Sequence, residues 1–193
     1  MIKINNLSFS YADKSIFGNF SLEIPSGRRI CLSGESGRGK TTLLRLILGL
    51  EKPCGGSIET GGARMSAVFQ EDRLLPFKTA LGNITLIGAD EKTALYNLSA
   101  LGVGESAEKY PSELSGGMRR RVAIARALSA EYDCLVLDEP FAGLDKENTE
   151  KAAKHILQGL NGRTLIAVTH SEYEAQLLGA EISIFIKQKS RRA

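Results

Sequence analysis

Gly34-Glu35-Ser36-Gly37-Arg38-Gly39-Lys40-Thr41 fits the spacing G-x-x-x-x-G-K-[ST] and stands between two segments of different periodicity. Before it, Arg29–Ser33 carries the apolar run Ile30-Cys31-Leu32 of a short buried strand. After it, Leu43, Leu44, Leu46, Ile47 and Leu48 trace a helix that starts at Lys40 and stops at Gly49. Glycines let backbone N–H groups turn inward around an anion, and the N-terminus of the following helix adds partial positive charge at the same point. Lys40 can then reach outer phosphates, and Thr41 can offer its hydroxyl to a magnesium ion. A plain glycine-rich turn leaves that lysine and hydroxyl unexplained.

Upstream, Ile2-Lys3-Ile4 and Leu7-Ser8-Phe9-Ser10-Tyr11 alternate like a half-buried strand, and residues 20–24 repeat the pattern before a Pro25-Ser26-Gly27 turn. An antiparallel flap ahead of the phosphate loop is expected. Tyr11, near its end, is equally placed to stack on a base or to close the core; base stacking contributes roughly 1–3 kcal/mol in nucleic-acid sites.

Downstream, Pro53-Cys54-Gly55-Gly56 reads as a loop, 57–60 as a short strand and 65–69 as another, ending at Gln70. Ligands collect outside the carboxyl ends of strands in α/β sheets, so the Gln70 amide could bind a metal or its water. By itself it reads better as an ordinary exposed glutamine. Strand signals then vanish as far as Glu113. Helical patterns at 79–87 and 91–101 suggest a small helical subdomain, entered through Asp72-Arg73-Leu74-Leu75-Pro76-Phe77. Apolar groups in such a charged loop suggest a contact surface.

Leu114-Ser115-Gly116-Gly117-Met118 precedes a helical run over 119–130 that is rich in arginine. Ser115 can cap that helix, and the glycines leave its N–H groups accessible as a second anion site, although capping alone also accounts for the pattern. Cys134-Leu135-Val136-Leu137 is an apolar strand that ends in Asp138-Glu139. Strand side chains alternate, so the two carboxylates point differently and can divide roles between a magnesium ion and an attacking water. Asp145 opens an amphipathic helix reaching Leu160. Thr164–Val168 is a further buried strand that delivers His170 to the same edge as Gln70 and Asp138-Glu139. A helix at 171–178 and a last strand at 182–186 complete the pattern.

The 193 residues suit one domain, and 42% hydrophobic composition excludes disorder. A net charge of +3 does not argue for a specific nucleic-acid partner; the Arg191-Arg192 tail reads as a solvated end. Cys31, Cys54 and Cys134 have no metal-ligand spacing and fit a reducing cytosol. No signal-peptide pattern opens the chain, and no apolar run approaches the roughly 18 residues of a membrane helix, so a soluble chain is expected.

Taken together, the motifs between Tyr11 and His170 resemble the nucleotide-binding subunit of an ATP-binding cassette (ABC) transporter. Gly34 to Thr41, with Thr42 after it, resembles the Walker A loop, and Gln70 the Q-loop glutamine. Leu114 to Met118 resembles the signature, Leu135 to Asp138 the Walker B strand, Glu139 the catalytic glutamate, Asp145 the D-loop, His170 the switch histidine and Tyr11 the adenine-stacking aromatic. The resemblance implies an α/β fold: a P-loop NTPase core with a mainly parallel sheet, an N-terminal antiparallel β subdomain, and a helical subdomain at about 71–130 inserted in a single domain spanning 1–193. It implies ATP hydrolysis with Mg2+. Glu139, His170, Lys40 and Gln70 would be catalytic. Tyr11, Gly34, Glu35, Ser36, Gly37, Arg38, Gly39, Lys40, Thr41, Thr42, Ser115, Gly116, Gly117 and Asp145 would bind nucleotide, and Thr41, Gln70 and Asp138 would hold the metal.

It further implies a head-to-tail dimer with a second copy, docking to integral-membrane subunits through Gln70 to Phe77, a separate solute-binding protein, and a peripheral location on the cytoplasmic side of the membrane. Gln70-Glu71-Asp72-Arg73-Leu74-Leu75-Pro76 is similar to the corresponding stretch of nitrate, sulfonate and taurine importers. Met118 departs from the familiar glutamine, which puts any side-chain contact at 118 in doubt. No regulatory domain is expected after Ile186. A soluble ABC-type ATPase acting on nucleic acid or ribosomes is the alternative; it is disfavoured by the single cassette and the absence of a heptad run.

Overall fold

Alternation along the strands sorts the apolar residues to the two faces of a sheet. The computed structural model describes residues 1–12, 14–35 and 37–185; Ser36, the expected strand end at Ile186 and the Arg191-Arg192 tail lie outside them. The chain runs β1 (Ile2–Tyr11), β2 (Lys14–Ile24), β3 (Arg29–Ser33), α1 (Lys40–Ile47), β4 (Gly55–Glu59), β5 (Met65–Val68), α2 (Ala80–Thr85) and α3 (Glu91–Ala100). It continues through two single 3-10 turns into α4 (Gly116–Ser129), β6 (Cys134–Asp138), α5 (Lys146–Leu160), β7 (Thr164–Val168), α6 (Glu172–Leu177) and β8 (Ile182–Phe185).

Among the described residues the core sheet has five strands in the order β5-β6-β7-β3-β8, with each neighbouring pair parallel. A separate antiparallel sheet, β2-β1-β4, forms the expected flap. In β6, Cys134 and Val136 face one way, together with Ile166 and Val168 of β7, and pack with β1, β2 and α1. Leu135 and Leu137 face the other way, with Leu165 and Ala167, toward α2, α3, α4 and α5. Each such position is closed on all sides, so truncating fully buried Leu135 to Ala should cost about 2–5 kcal/mol.

Helices α2 and α6 begin one residue later than their patterns suggest, because Thr79 and Ser171 are caps. Thr79 accepts from the Gly82 amide, Ser171 from the Glu174 amide and, at the expected start of α3, Asp90 from the Thr93 amide, supplying partners for N–H groups that the helix itself leaves unpaired. Helix α4 begins earlier than expected, at Gly116, with the Ser115 hydroxyl accepting from the Met118 amide at 3.2 Å. The second strand also differs: it starts at Lys14, not Phe20. Asn19 there has φ 61 and the pairing with β1 shifts register, so a bulge carries the strand through a stretch that reads as a break.

Candidate functional site: a phosphate loop and a carboxylate edge

Helix α1 starts at the point where the glycine loop releases the chain. Gly39, its N-cap, has φ 86, and a Cβ there would lie 2.5 Å from Ile16 Cγ2, so both backbone and space require glycine. Lys40 is 5% exposed, and its ammonium curls back over the loop to donate to the Gly34 carbonyl (2.8 Å) and the Glu35 carbonyl (3.0 Å). Among the described residues its hydrogen bonds go to neutral carbonyls, and a buried cation so held attracts phosphate oxygens. Glu35 and Arg38 pair with each other at the loop's exposed rim, with Arg38 Nε donating to Glu35 Oε2 at 3.0 Å.

The alternation in β6 decides where Asp138 goes. It shares a face with Cys134 and Val136, the face covered by α1, and there it meets the Thr41 side chain. Asp138 is 3% exposed, and its Oδ1 has no hydrogen-bond partner among the described residues. Burial pushes its carboxyl pKa up, and the charge of Glu139 adds to the rise; the Thr41 side chain, Lys40 and Arg120 oppose it. A buried carboxylate oxygen without a donor calls for a cation. The oxygens of Asp138, Thr41 and the Gln70 amide are the hard ligands that suit Mg2+.

Glu139 leaves the strand in a left-handed conformation, φ 49, with its amide donating to the Val168 carbonyl at 2.9 Å. That turn takes its side chain off the strand's alternation. Glu139 Oε1 lies 2.9 Å from His170 Nε2, contributed by the end of β7. A cleft of about 310 Å³ gathers these groups: Gly37, Gly39, Lys40, Thr41, Thr42, Gln70, Glu139 and His170 line it, with Tyr11 at one side. Tyr11 is 42% exposed and meets Phe9 edge-on, leaving a ring face for a planar ligand. Lys14 and Ile16 also line the cleft. The sequence reading missed both, because β2 was expected to start only at Phe20.

None of the other expected residues that the structure describes lines the cleft. Ser115, Gly116 and Gly117 begin α4 elsewhere, and a Cβ at Gly117 would touch the Gly143 carbonyl at 3.3 Å, which places that helix start against the loop leading to Asp145. Asp145 caps α5; hydrogen bonds from Asn148 hold its carboxyl below the usual range, with help from the charge of Arg121. Within one chain the expected residues therefore form two groups, one around the phosphate loop and one around the α4 N-terminus. Among the described residues no helix is long and apolar enough to cross a membrane.

Comparison with known proteins agrees with this architecture. The ABC transporter family model matches residues 17–142. The aliphatic sulfonates import ATP-binding protein SsuB 1 of Rhodococcus jostii is 39% identical, over 92% of this chain and 76% of that protein. The ergothioneine transport ATP-binding protein EgtV of Helicobacter pylori is 37% identical, over 94% of this chain and 95% of its own length. Among solved structures, the dimeric bacterial ABC transporter cassette MJ0796 superimposes with a TM-score of 0.89 at 30% identity, covering 97% of this chain and 94% of that one. The same cassette in a post-hydrolysis state bound to ADP and Pi gives a TM-score of 0.86 at 29% identity. With the phosphate loop, the buried carboxylate and the paired glutamate and histidine around one cleft, the chain belongs to the ABC transporter family as one of its ATP-hydrolysing cassettes.

Proposed function

We propose that this cassette hydrolyses ATP on the cytoplasmic face of a bacterial membrane to drive import of a small organic anion of the sulfonate kind. Lys40 and the loop amides hold the β- and γ-phosphates, Thr41, Asp138 and Gln70 hold Mg2+, and Tyr11 stacks on adenine. A Mg2+ ion held by these residues would neutralise negative charge that builds on the phosphoryl group during transfer. Glu139 orients the attacking water and accepts its proton, and His170 holds Glu139 while sensing the γ-phosphate. The observation that carries this reading is the Asp138 Oδ1 that has no partner among the described residues, beside Thr41, with the Glu139–His170 pair lining the same cleft as Lys40.

A second copy supplies Ser115, Gly116, Gly117 and Asp145 to close the cleft, which accounts for two anion-binding groups that one chain holds apart. A twofold dimer then forms two composite sites. The dimeric state of MJ0796 supports this arrangement. Exposed Phe77 in the segment after Gln70 supports docking of integral-membrane subunits there, and the import name of the SsuB 1 relative supports a separate solute-binding protein in the full system.

Glu139→Gln tests the reading. Nucleotide binding should persist, phosphate release should fall about 10²–10⁴-fold, and ATP should trap a dimer in size-exclusion chromatography. Adding Ser115→Arg should abolish that dimer while leaving the monomer's nucleotide affinity unchanged. Normal phosphate release in Glu139→Gln would falsify the assignment of the base. Co-purification with a soluble nucleic-acid complex, and with no integral-membrane protein, would overturn the transport role.

A further inference from the structure

Two arginines of α4 hold the loop that carries Gln70, and nothing in the mechanism above uses them. Arg120 is 5% exposed; its Nη1 donates to the Phe69 carbonyl at 2.5 Å and its Nη2 to the Gln70 carbonyl, while its Nε lies 3.3 Å from Asp72 Oδ1. Six residues on, Arg126 donates through Nη1 to the Arg73 carbonyl at 2.9 Å and through Nη2 to the Asp72 carbonyl at 3.0 Å.

The pairing of carbonyls matters because the peptide unit is planar. The Phe69 carbonyl lies in the plane joining residues 69 and 70, and the Gln70 carbonyl in the plane joining 70 and 71. Those planes meet at the Gln70 Cα, so one guanidinium fixes both backbone torsions of Gln70. Arg126 does the same at Arg73, where φ is 47, a conformation that a non-glycine residue holds only when its surroundings impose it. A planar fork suits this task and a lysine ammonium does not. At its N-terminal end α4 carries the Ser115 cap; through its arginines it grips the Gln70 backbone.

We infer that Arg120 and Arg126 are positioning residues that hold the Gln70 backbone against α4, so that the Gln70 amide is presented to the cleft in one orientation. This rests on the proposed role of Gln70.

The test compares steady-state ATP hydrolysis in Arg120→Met, Arg126→Met, Arg120→Lys and Gln70→Ala. Arg120→Met should lower kcat about 10–100-fold, the range expected when a catalytic group is misplaced by an ångström, and leave the KM for ATP within about twofold. Arg126→Met, at a less buried position, should lower kcat in the same direction and serves if Arg120→Met does not fold. Arg120→Lys keeps a charge beside Asp72 yet cannot span two carbonyls, so it should fail to restore kcat. Gln70→Ala combined with Arg126→Met should be no slower than the slower single variant. Full activity in Arg120→Lys, or multiplicative losses in the double variant, would overturn the inference and leave the role of Gln70 standing. Normal kcat in Gln70→Ala would overturn both.

Discussion

His170 Nε2 lies 2.9 Å from Glu139 Oε1, and the two residues come from the ends of adjacent parallel strands, β7 and β6. Neither side chain is buried enough to be fixed by packing alone: His170 is 48% exposed and Glu139 29%. Their mutual contact is what orients the carboxylate. His170→Ala should therefore lower kcat about 10²-fold with nucleotide affinity unchanged, and should add little to the loss in Glu139→Gln. Phosphate-release rates of the two single variants and the double variant check this; fully multiplicative losses would contradict it.

Asp138 offers a prediction about stability. Its folded-state pKa is raised by burial above the unfolded value of 3.8, so the protonated form favours folding, an advantage present below about pH 4 and lost as pH rises through the folded pKa. At neutral pH the ionised group is a burden on the metal-free protein. Asp138→Asn should raise the melting temperature at pH 7 by several degrees without Mg2+, the gain shrinking as pH falls toward 4, while Mg2+-dependent ATP hydrolysis is lost. Thermal melts at several pH values, with EDTA, check the sign. A lower melting temperature at pH 7 would refute it.

Buried His155 and Asn97 tie α5 to α3. The Asn97 amide nitrogen donates to Ser129 Oγ at 2.8 Å, so its oxygen is the acceptor that meets His155 Nε2 at 2.7 Å. Asn97→Leu leaves that imidazole N–H without an acceptor and should cost about 1–3 kcal/mol, read from urea unfolding midpoints. Burial also lowers the His155 pKa. The stabilising contribution of the neutral ring is present above the unfolded value of about 6.5 and is lost as pH falls below it. His155→Gln should flatten stability over that window, and an unchanged slope would remove His155 as its cause.

Gly39 tests the phosphate loop. Its φ of 86 and the 2.5 Å approach of a built Cβ to Ile16 make Ala strained at that position. Gly39→Ala should destabilise the fold by about 1–3 kcal/mol and weaken nucleotide binding more than it weakens the fold. Chemical denaturation and a nucleotide titration separate the two effects.

Much of the site was legible because parallel strands end at a common edge. Gln70, Asp138-Glu139 and His170 each follow an apolar run, which sets them at one sheet edge with the loop after β3, but it took the family resemblance to raise Gln70 and His170 above ordinary surface residues. Lys14 and Ile16 were missed because the bulge at Asn19 has no distinctive periodicity. Arg120 and Arg126 were visible only as members of an arginine-rich helix; their partners are backbone carbonyls 50 or more residues away, and a carbonyl carries no residue identity to read.

The eight residues from Gly34 to Thr41 and the Asp138-Glu139 pair determined by themselves that the chain builds an α/β phosphate site, because local spacing sets which groups share a turn and which side a strand residue faces. Tertiary structure alone decided that Asp138 keeps, beside Thr41, an oxygen with no partner among the described residues. It alone set the Ser115 helix start apart from the cleft, against Gly143, and strapped Gln70 to α4. Those facts depend on contacts between segments distant along the chain, and such contacts are fixed only when the two faces of the core sheet close.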